Sequence, residues 1–298
     1  MTESLFFLLK PLSDLHGNTI VPQGVMISKE LLKEVAKKGG GDLEVHLGST
    51  PIFSDFEPIL EEEEIAPLIG KDLRDRILPI LERVPLPEAV VEEIWNMRLH
   101  LPLLYHHSLA TTVLFLRTLM EVVFKTQDLI QSVRANLLKD LGMTRIPEEL
   151  HRNQDHLSMK EYIEIQRHTL LGLLLNTYYF GEGLEGMIAL RHHMRNGHGY
   201  PPWRGLKPNF LVHLVEVVDI FYALISPRPF RKVPYDVRGA LDELTDMAKR
   251  GEVGTEALKL FVSLFRKDRP EPGRVVFSEK KLGFIPRENF YGIGPGKG

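Results

Sequence analysis

Between His192 and Arg231 the sequence gathers residues able to hold a metal ion beside residues able to hold a phosphate. The stretch opens HHMRNGHGYPPWRGL and runs on through HLVEVVDIFYALISPRPFRK. Adjacent His192 and His193 offer imidazole and Asp219 offers a carboxylate, ligand types that suit iron, manganese and similar ions. Asp219 is the sharpest member. It is flanked by Val217, Val218, Ile220 and Phe221, so a helix there carries a carboxylate into apolar surroundings. Such burial is costly without a partner, and a metal ion is one of the few groups that offsets it. Gly199, Tyr200 and Pro201 form a loop beside the histidines, and Arg228, Arg231 and Lys232 make a basic cluster downstream. Guanidinium groups suit phosphates, and both they and aromatic rings suit the faces of bases.

In this order the residues resemble the HD-GYP family, the cyclic-di-GMP phosphodiesterase branch of the HD metal-dependent phosphohydrolases. The resemblance is carried by His192 and His193, by HGYP at 198–201, by Asp219 in VVDIFYAL, and by RPF at 228–230 followed by Arg231. It covers roughly residues 100–267. It implies a mainly α fold, an HD-type helical bundle, and a set of metal ligands assigned residue by residue. These are His107 in YHHSLATTV, Asp140 in NLLKDLGM, His168 in IQRHTLLG, and then His192, His193 and Asp219. His106 is the alternative to His107, but the separation from Asp140 favours His107. Ligand contacts are implied for Gly199, Tyr200, Pro201, Arg204, Arg228, Arg231 and Lys232, because a cyclic dinucleotide offers two phosphates and two guanine faces. Adjacent residues on a helix point about 100° apart, so His192 and His193 more naturally serve different metals, or lobes of a cluster, than chelate one. His106, His151 and His156, taken singly, read as hydrogen-bonded structural residues.

The departures from the family fall at the centre of the chemistry. Where the resemblance expects His-Asp, two further residues and then a lysine, this chain has Lys139, Asp140, Leu141, Gly142 and Met143. Asp140 and Lys139 are therefore the expected catalytic positions, with Lys139 standing at the altered dyad. Leu103 occupies a position where some members place a glutamate for a third metal, Met194 replaces a glutamate, and Phe230 replaces a tyrosine. An ammonium where an ion is normally held repels that ion by an amount on the order of several kcal/mol in a partly dry site. Two orientations of Lys139 stay open: a fixed cation in place of one ion, or a side chain turned to solvent.

These residues need elements to hold them. The 298 residues, with 43% hydrophobic, support a sizeable core. Residues 1–50 read as a small α+β module. LFFLLKPLSD and TIVPQG suggest short strands around LHGN, Ser28 caps a helix to about Lys38 that Gly39, Gly40 and Gly41 stop, and LEVHLG suggests another strand. His16 and His46 read as surface residues. Residues 51–87 read as an acidic, proline-containing linker, with Glu61 to Glu64 as a solvated run and a connecting helix kinked at Pro79. Residues 88–267 read as the helical domain, with helices expected in SLATTVLFLRTLMEVVF and at about 129–141, 159–179, 184–194, 208–225, 235–250 and 255–266. Residues 268–298 read as an irregular tail.

Composition narrows the function further. Cysteine is absent, so disulfides and thiolate metal sites are excluded. A formal net charge of -3 gives no basic signal for double-stranded nucleic acid. No stretch approaches the about 18 apolar residues of a membrane span, and a cytoplasmic, bacterial signalling protein is the expectation. Three functions compete. The first is a metal-dependent cyclic-di-GMP phosphodiesterase. The second is a degenerate member that recognises cyclic di-GMP or a related cyclic dinucleotide with weak or no hydrolysis. The third is a metal-free interaction domain working through a signalling protein partner. Retained ligands argue against the third and the changes at 139 and 143 against the first, so the second is preferred. The expected cofactor is a divalent metal, iron or manganese, with one ion rather than two or none as the alternatives.

Overall fold

The computed structural model describes residues 7–40, 43–152, 157–202, 209–228 and 231–286. Near the N-terminus, β1 (Leu12–Ser13) and β2 (Thr19–Val21) pair antiparallel. The Asp14 carboxylate accepts the backbone N–H groups of His16 and Asn18 and closes the turn between them. Ser28 Oγ accepts the N–H of Leu31 and so caps α1 (Lys29–Lys38), while Lys37 and Lys38 complement the dipole at its other end. β3 (Glu44–His46) forms where LEVHLG predicts it. It pairs with β4 (Pro85–Pro87) rather than with the β1–β2 hairpin.

Residues 51–87, expected as a linker, contain α2 (Phe56–Leu60) and α3 (Ala66–Glu82) before β4. Phe56, Ile59, Leu60, Ile65 and Leu68 are buried in the same core cluster as the helices that follow. Each such side chain contributes about 1.5–3 kcal/mol on burial, enough to draw an acidic stretch onto the core while its carboxylates face outward or pair. The break in α3 lies at Gly70, with φ 59° and ψ 170°, and not at Pro79, through which the helix continues. Glycine reaches that backbone geometry without a Cβ clash. Two residues before it, the Leu68 carbonyl accepts Nε–H of the buried Arg117 at 2.9 Å.

The expected helical domain follows as α4 (Glu88–His100), α5 (Pro102–Leu119), α6 (Thr126–Leu137), a 3-10 turn (Leu141–Arg145), α7 (Glu148–Arg152), α8 (Met159–Gln166), α9 (His168–Phe180), α10 (Leu184–Arg191), α11 (Phe210–Ile225), α12 (Val237–Lys249) and α13 (Thr255–Ser263). The mainly α bundle read from the sequence is borne out. The single helix expected over 159–179 divides at Arg167 into α8, which buries no residue, and α9, which is buried from His168 to Thr177. α4 is not among the expected helices. α5, α9 and α11 are apolar nearly all round and lie inside the bundle, as that pattern requires. These three core helices carry His107, His168 and Asp219. Part of the tail is also fixed: the N–H groups of Leu282 and Gly283 donate to the Asp242 carboxylate of α12.

Candidate metal centre

Asp140 ends the segment after α6 and enters the 3-10 turn, which brings its carboxylate against α9 and α10. A close crossing makes this contact. A Cβ added to Gly142 would stand 2.0 Å from the His168 carbonyl and 2.4 Å from Gly172 N, so only glycine permits the approach. Asp140 Oδ1 lies 3.2 Å from His192 Nε2 and 3.6 Å from His168 Nε2, and the two Nε2 atoms are 3.3 Å apart. On their other sides, His168 Nδ1 meets the Ile165 carbonyl at 2.7 Å and His192 Nδ1 meets the Ala189 carbonyl at 2.9 Å. A carbonyl only accepts, so each Nδ1 carries a proton and each ring turns its Nε2 inward. Two imidazole nitrogens and a carboxylate oxygen thus converge, a donor set suited to a cation. His193 joins them, since one ligand atom each from Asp140, His168, His192 and His193 lies within 4.8 Å of the others. Burial and the neighbouring His192 push His168 down to about 4, and burial holds His193 well below the usual imidazole range, so both rings stay neutral near pH 7.

The other half of the cluster is arranged differently. His107, Asp140 and Asp219 also place ligand atoms within 4.8 Å of one another, but Lys139 is fully buried among them. Its Nζ meets Asp140 Oδ2 and lies 3.0 Å from Asp219 Oδ1. Of the two orientations open from sequence, Lys139 faces inward. Burial alone would lower its pKa, but the two carboxylates outweigh that and hold the ammonium above its ordinary value. The carboxyls of Asp140 and Asp219, which burial alone would raise, are held well below the usual range chiefly by Lys139. His107 completes the chain of contacts. Arg228 Nη2 donates to its Nδ1 at 2.9 Å, so the proton sits on Nε2, which donates to Asp219 Oδ1 at 2.8 Å. In this arrangement both nitrogens of His107 are engaged, and burial with the Arg228 charge pushes the ring down to about 4.

The sequence pattern of the HD domain matches residues 89–256, more than half of the chain. This chain belongs to the HD domain family. It is also similar to a protein of Vibrio cholerae described as 3'3'-cGAMP-specific phosphodiesterase 1, with 33% identity over 99 residues that make up 32% of this chain and 22% of that protein. A second relative, from Xanthomonas campestris, is described as the cyclic di-GMP phosphodiesterase response regulator RpfG. There the identity is 34% over 101 residues, 32% of this chain and 26% of that protein. The matches therefore span about a quarter of the length of these relatives. The family resemblance drawn from the sequence is upheld at this level, and HD domains are metal-dependent. Among the described residues no helix is long and apolar enough to cross a membrane.

The residues of the HD domain expected to contact a ligand are placed unequally. Tyr200 lies over the cluster, with its ring centroid 4.8 Å from that of His193 and 6.0 Å from that of His168. Gly199 lets the loop close, because a Cβ there would meet the His193 carbonyl at 1.8 Å. Pro201 is buried beside Tyr200, and Arg228 reaches the cluster through His107. Arg231 is committed elsewhere. Its guanidinium donates to the carbonyls of Ala223 and Leu224 at the C-terminal end of α11 and stacks over Tyr235, because those carbonyls lack helical donors. Lys232 is exposed. Arg204, Trp203, Phe230 and His156 lie outside the described residues.

Other participants went unread in the sequence. Glu62, in the run taken as solvated, accepts from Tyr222 Oη at 2.8 Å and meets His106 Nε2 at 2.8 Å, while the Tyr222 ring lies 5.6 Å from that of His107. Tyr162 of α8 packs edge-on against Tyr200 at 6.1 Å. Glu216 of α11 is fully buried. It sits three residues before Asp219 in the same apolar run, so the cost of burying a carboxylate was a signal available for it too. His151 is a structural residue, its Nε2 held by the Met143 carbonyl at 3.2 Å.

Proposed function

We propose that this HD domain recognises a cyclic dinucleotide around one divalent ion, with weak or no hydrolysis. The observation that carries the reading is the Lys139 ammonium lodged against both Asp140 and Asp219. The ion, iron or manganese, would be held by Asp140, His168, His192 and His193, whose imidazole and carboxylate donors suit either. When bound, it supplies Lewis-acid pull on a phosphate oxygen and eases deprotonation of water. Lys139 supplies charge alone. An ammonium attracts a phosphate oxygen but gives no site at which water loses its proton, so recognition survives better than turnover.

The chain's own residues divide the remaining work. Arg228, turned inward beside His107, offers a guanidinium to a phosphate, and the faces of Tyr200 and Tyr162 offer stacking to a base. His107 keeps its proton on Nε2 toward Asp219, which leaves it orienting Asp219 rather than accepting a proton from substrate. The names of the two relatives favour cyclic dinucleotides as the ligand class. A bacterial cytoplasmic signalling role with a protein partner follows from the same reading.

One observation favours the alternative of an active phosphodiesterase: the four-residue group around Asp140 is complete. Metal analysis of anaerobically purified protein decides between them, with calorimetric binding of cyclic di-GMP and turnover in manganese and in ferrous iron. The natural chain should carry one ion, bind the dinucleotide and turn over near background, while Lys139→His should take up a second ion. Robust hydrolysis by the natural chain would establish the enzyme. Absence of both metal and binding would leave an interaction domain.

A further inference from the structure

His193 differs from the other histidines of the cluster in how its ring is held. His168 and His192 are each tethered through Nδ1 to a backbone carbonyl. Among the described residues no hydrogen bond reaches the His193 ring, and its ring contacts are at centroid distances of 4.1 Å to His192, 4.8 Å to Tyr200 and 5.2 Å to His168. Its orientation therefore depends on Tyr200, and Tyr200 depends on the turn that folds it back. That turn is closed by Tyr200 N–H to the His193 carbonyl at 2.9 Å and by Gly199 N–H to the Met194 carbonyl at 3.1 Å.

The turn is not one the chain adopts unaided. Arg195 and Asn196 have φ of 44° and 53°, left-handed conformations that cost a residue with a Cβ about 1–2 kcal/mol each. Among the described residues two hydrogen bonds from outside hold it. Asn196 Nδ2–H donates to the Gly251 carbonyl at 2.7 Å, and Arg195 N–H donates to Glu216 Oε1 at 2.8 Å. The second oxygen of Glu216 meets His213 Nδ1 at 3.0 Å, one helical turn earlier. The buried carboxylate is thus shared between His213 on its own helix and the Arg195 amide of the turn.

We propose that Glu216 is a positioning residue of the metal centre. It anchors the Arg195–Tyr200 turn so that Tyr200 keeps the His193 imidazole directed at the ion. The inference rests on the metal reading given above and adds to it the residue on which the fourth ligand depends.

The test compares Glu216→Leu, which removes the acceptor, with Glu216→Gln, whose side-chain oxygen can still receive the Arg195 amide. Manganese affinity by calorimetry and the visible bands of the cobalt(II)-loaded protein report the ligand set, and amide exchange across 193–200 reports the turn. Glu216→Leu should weaken manganese binding about 10–100-fold and alter the cobalt bands, as loss of a ligand-orienting partner does. Glu216→Gln should stay near the natural protein in both. Tyr200→Leu should match Glu216→Leu, and the double variant should lose no more than either alone, because the two act in series. Manganese affinity unchanged in Glu216→Leu overturns the proposal, as does failure of glutamine to rescue. If the natural protein binds no manganese or cobalt, the metal reading itself fails and this inference falls with it. Protection of the Arg195 amide, lost with leucine and kept with glutamine, then still shows whether Glu216 anchors the turn.

Discussion

Lys139 and Asp219, from just after α6 and from within α11, meet at 3.0 Å with the ammonium fully buried. The same ammonium contacts Asp140, so one side chain neutralises two carboxylates that the HD arrangement brings together. Charge balance in this half of the cluster is thus met by protein groups, Lys139 and Arg228 against Asp140 and Asp219.

Lys139→Met should reveal what that contact contributes. Breaking a buried ion pair by removing one partner costs about 3–5 kcal/mol, because the charge left behind has no partner. Urea unfolding without metal should show a loss of that size, and added manganese should restore part of it by giving the carboxylates a new cation. An unchanged unfolding midpoint would mean that the two aspartates do not need the ammonium.

Gly142→Ala should separate Asp140 from His168. The added methyl has the His168 carbonyl and Gly172 N in its way, both backbone atoms that cannot step aside. A loss of at least about 2 kcal/mol in stability is expected, with weaker manganese binding in calorimetry. Full metal affinity in this variant would show that the crossing is not what sets the ligand distance.

The two arginines of the basic segment should part company. Arg228→Ala should weaken cyclic di-GMP binding about tenfold or more, the value of one charge-assisted hydrogen bond, with a small effect on melting. Arg231→Met should lower the melting temperature through the lost contacts at the end of α11 while leaving affinity for the dinucleotide intact. The reverse pattern, read by calorimetry and thermal unfolding, would return Arg231 to the ligand.

Asp242 gives a pH signature apart from the metal cluster. Burial alone would raise its carboxyl, but the Leu282 and Gly283 amides and Arg238 outweigh that and lower it. A carboxyl whose folded pKa lies below its unfolded value adds stability that is complete above about pH 4 and is lost as pH falls through the folded pKa. The stability gap between the natural protein and Asp242→Ala should be full at pH 7 and shrink below about pH 4. A gap that is constant down to pH 3 would assign the effect to packing.

How much of this was legible depends on whether the deciding contact is local. Asp219 can be read because Val217, Val218, Ile220 and Phe221 mark a helix apolar nearly all round, in which a carboxylate is buried whichever way it points. Glu216 has similar flanks and a readable neighbour in His213, yet the contact that ties it to the site is an amide in a turn before α11. Lys139 reads equally well facing in or out, since its direction is decided by where α11 sets Asp219. Glu62 looks solvated beside its acidic neighbours, and its partners, His106 and Tyr222, come from helices far along the chain. Arg228 and Arg231 are alike as letters, and the carbonyls at the end of α11 distinguish them. The connecting helix around Pro79 is readable, whereas α2 and the start of α3 are masked by the acids and prolines between their apolar residues.

The N-terminal hairpin is fastened to the bundle by two guanidinium groups that stand next to cluster-bearing elements. Arg145, at the end of the turn after Asp140, donates to the Ser13 carbonyl, and Arg167, just before His168, donates to the Phe7 carbonyl. These partners are 132 and 160 positions apart along the chain. During synthesis the hairpin is made first and its docking surface long afterwards, a wait on the order of 10 s at typical ribosome speeds. Leu8, Leu12 and Val21, all buried in the finished protein, lack the later part of their core until then. The nascent chain therefore carries an apolar strand pair in search of a surface until α9 emerges, and that is when chaperone contact and mispairing between neighbouring chains should concentrate.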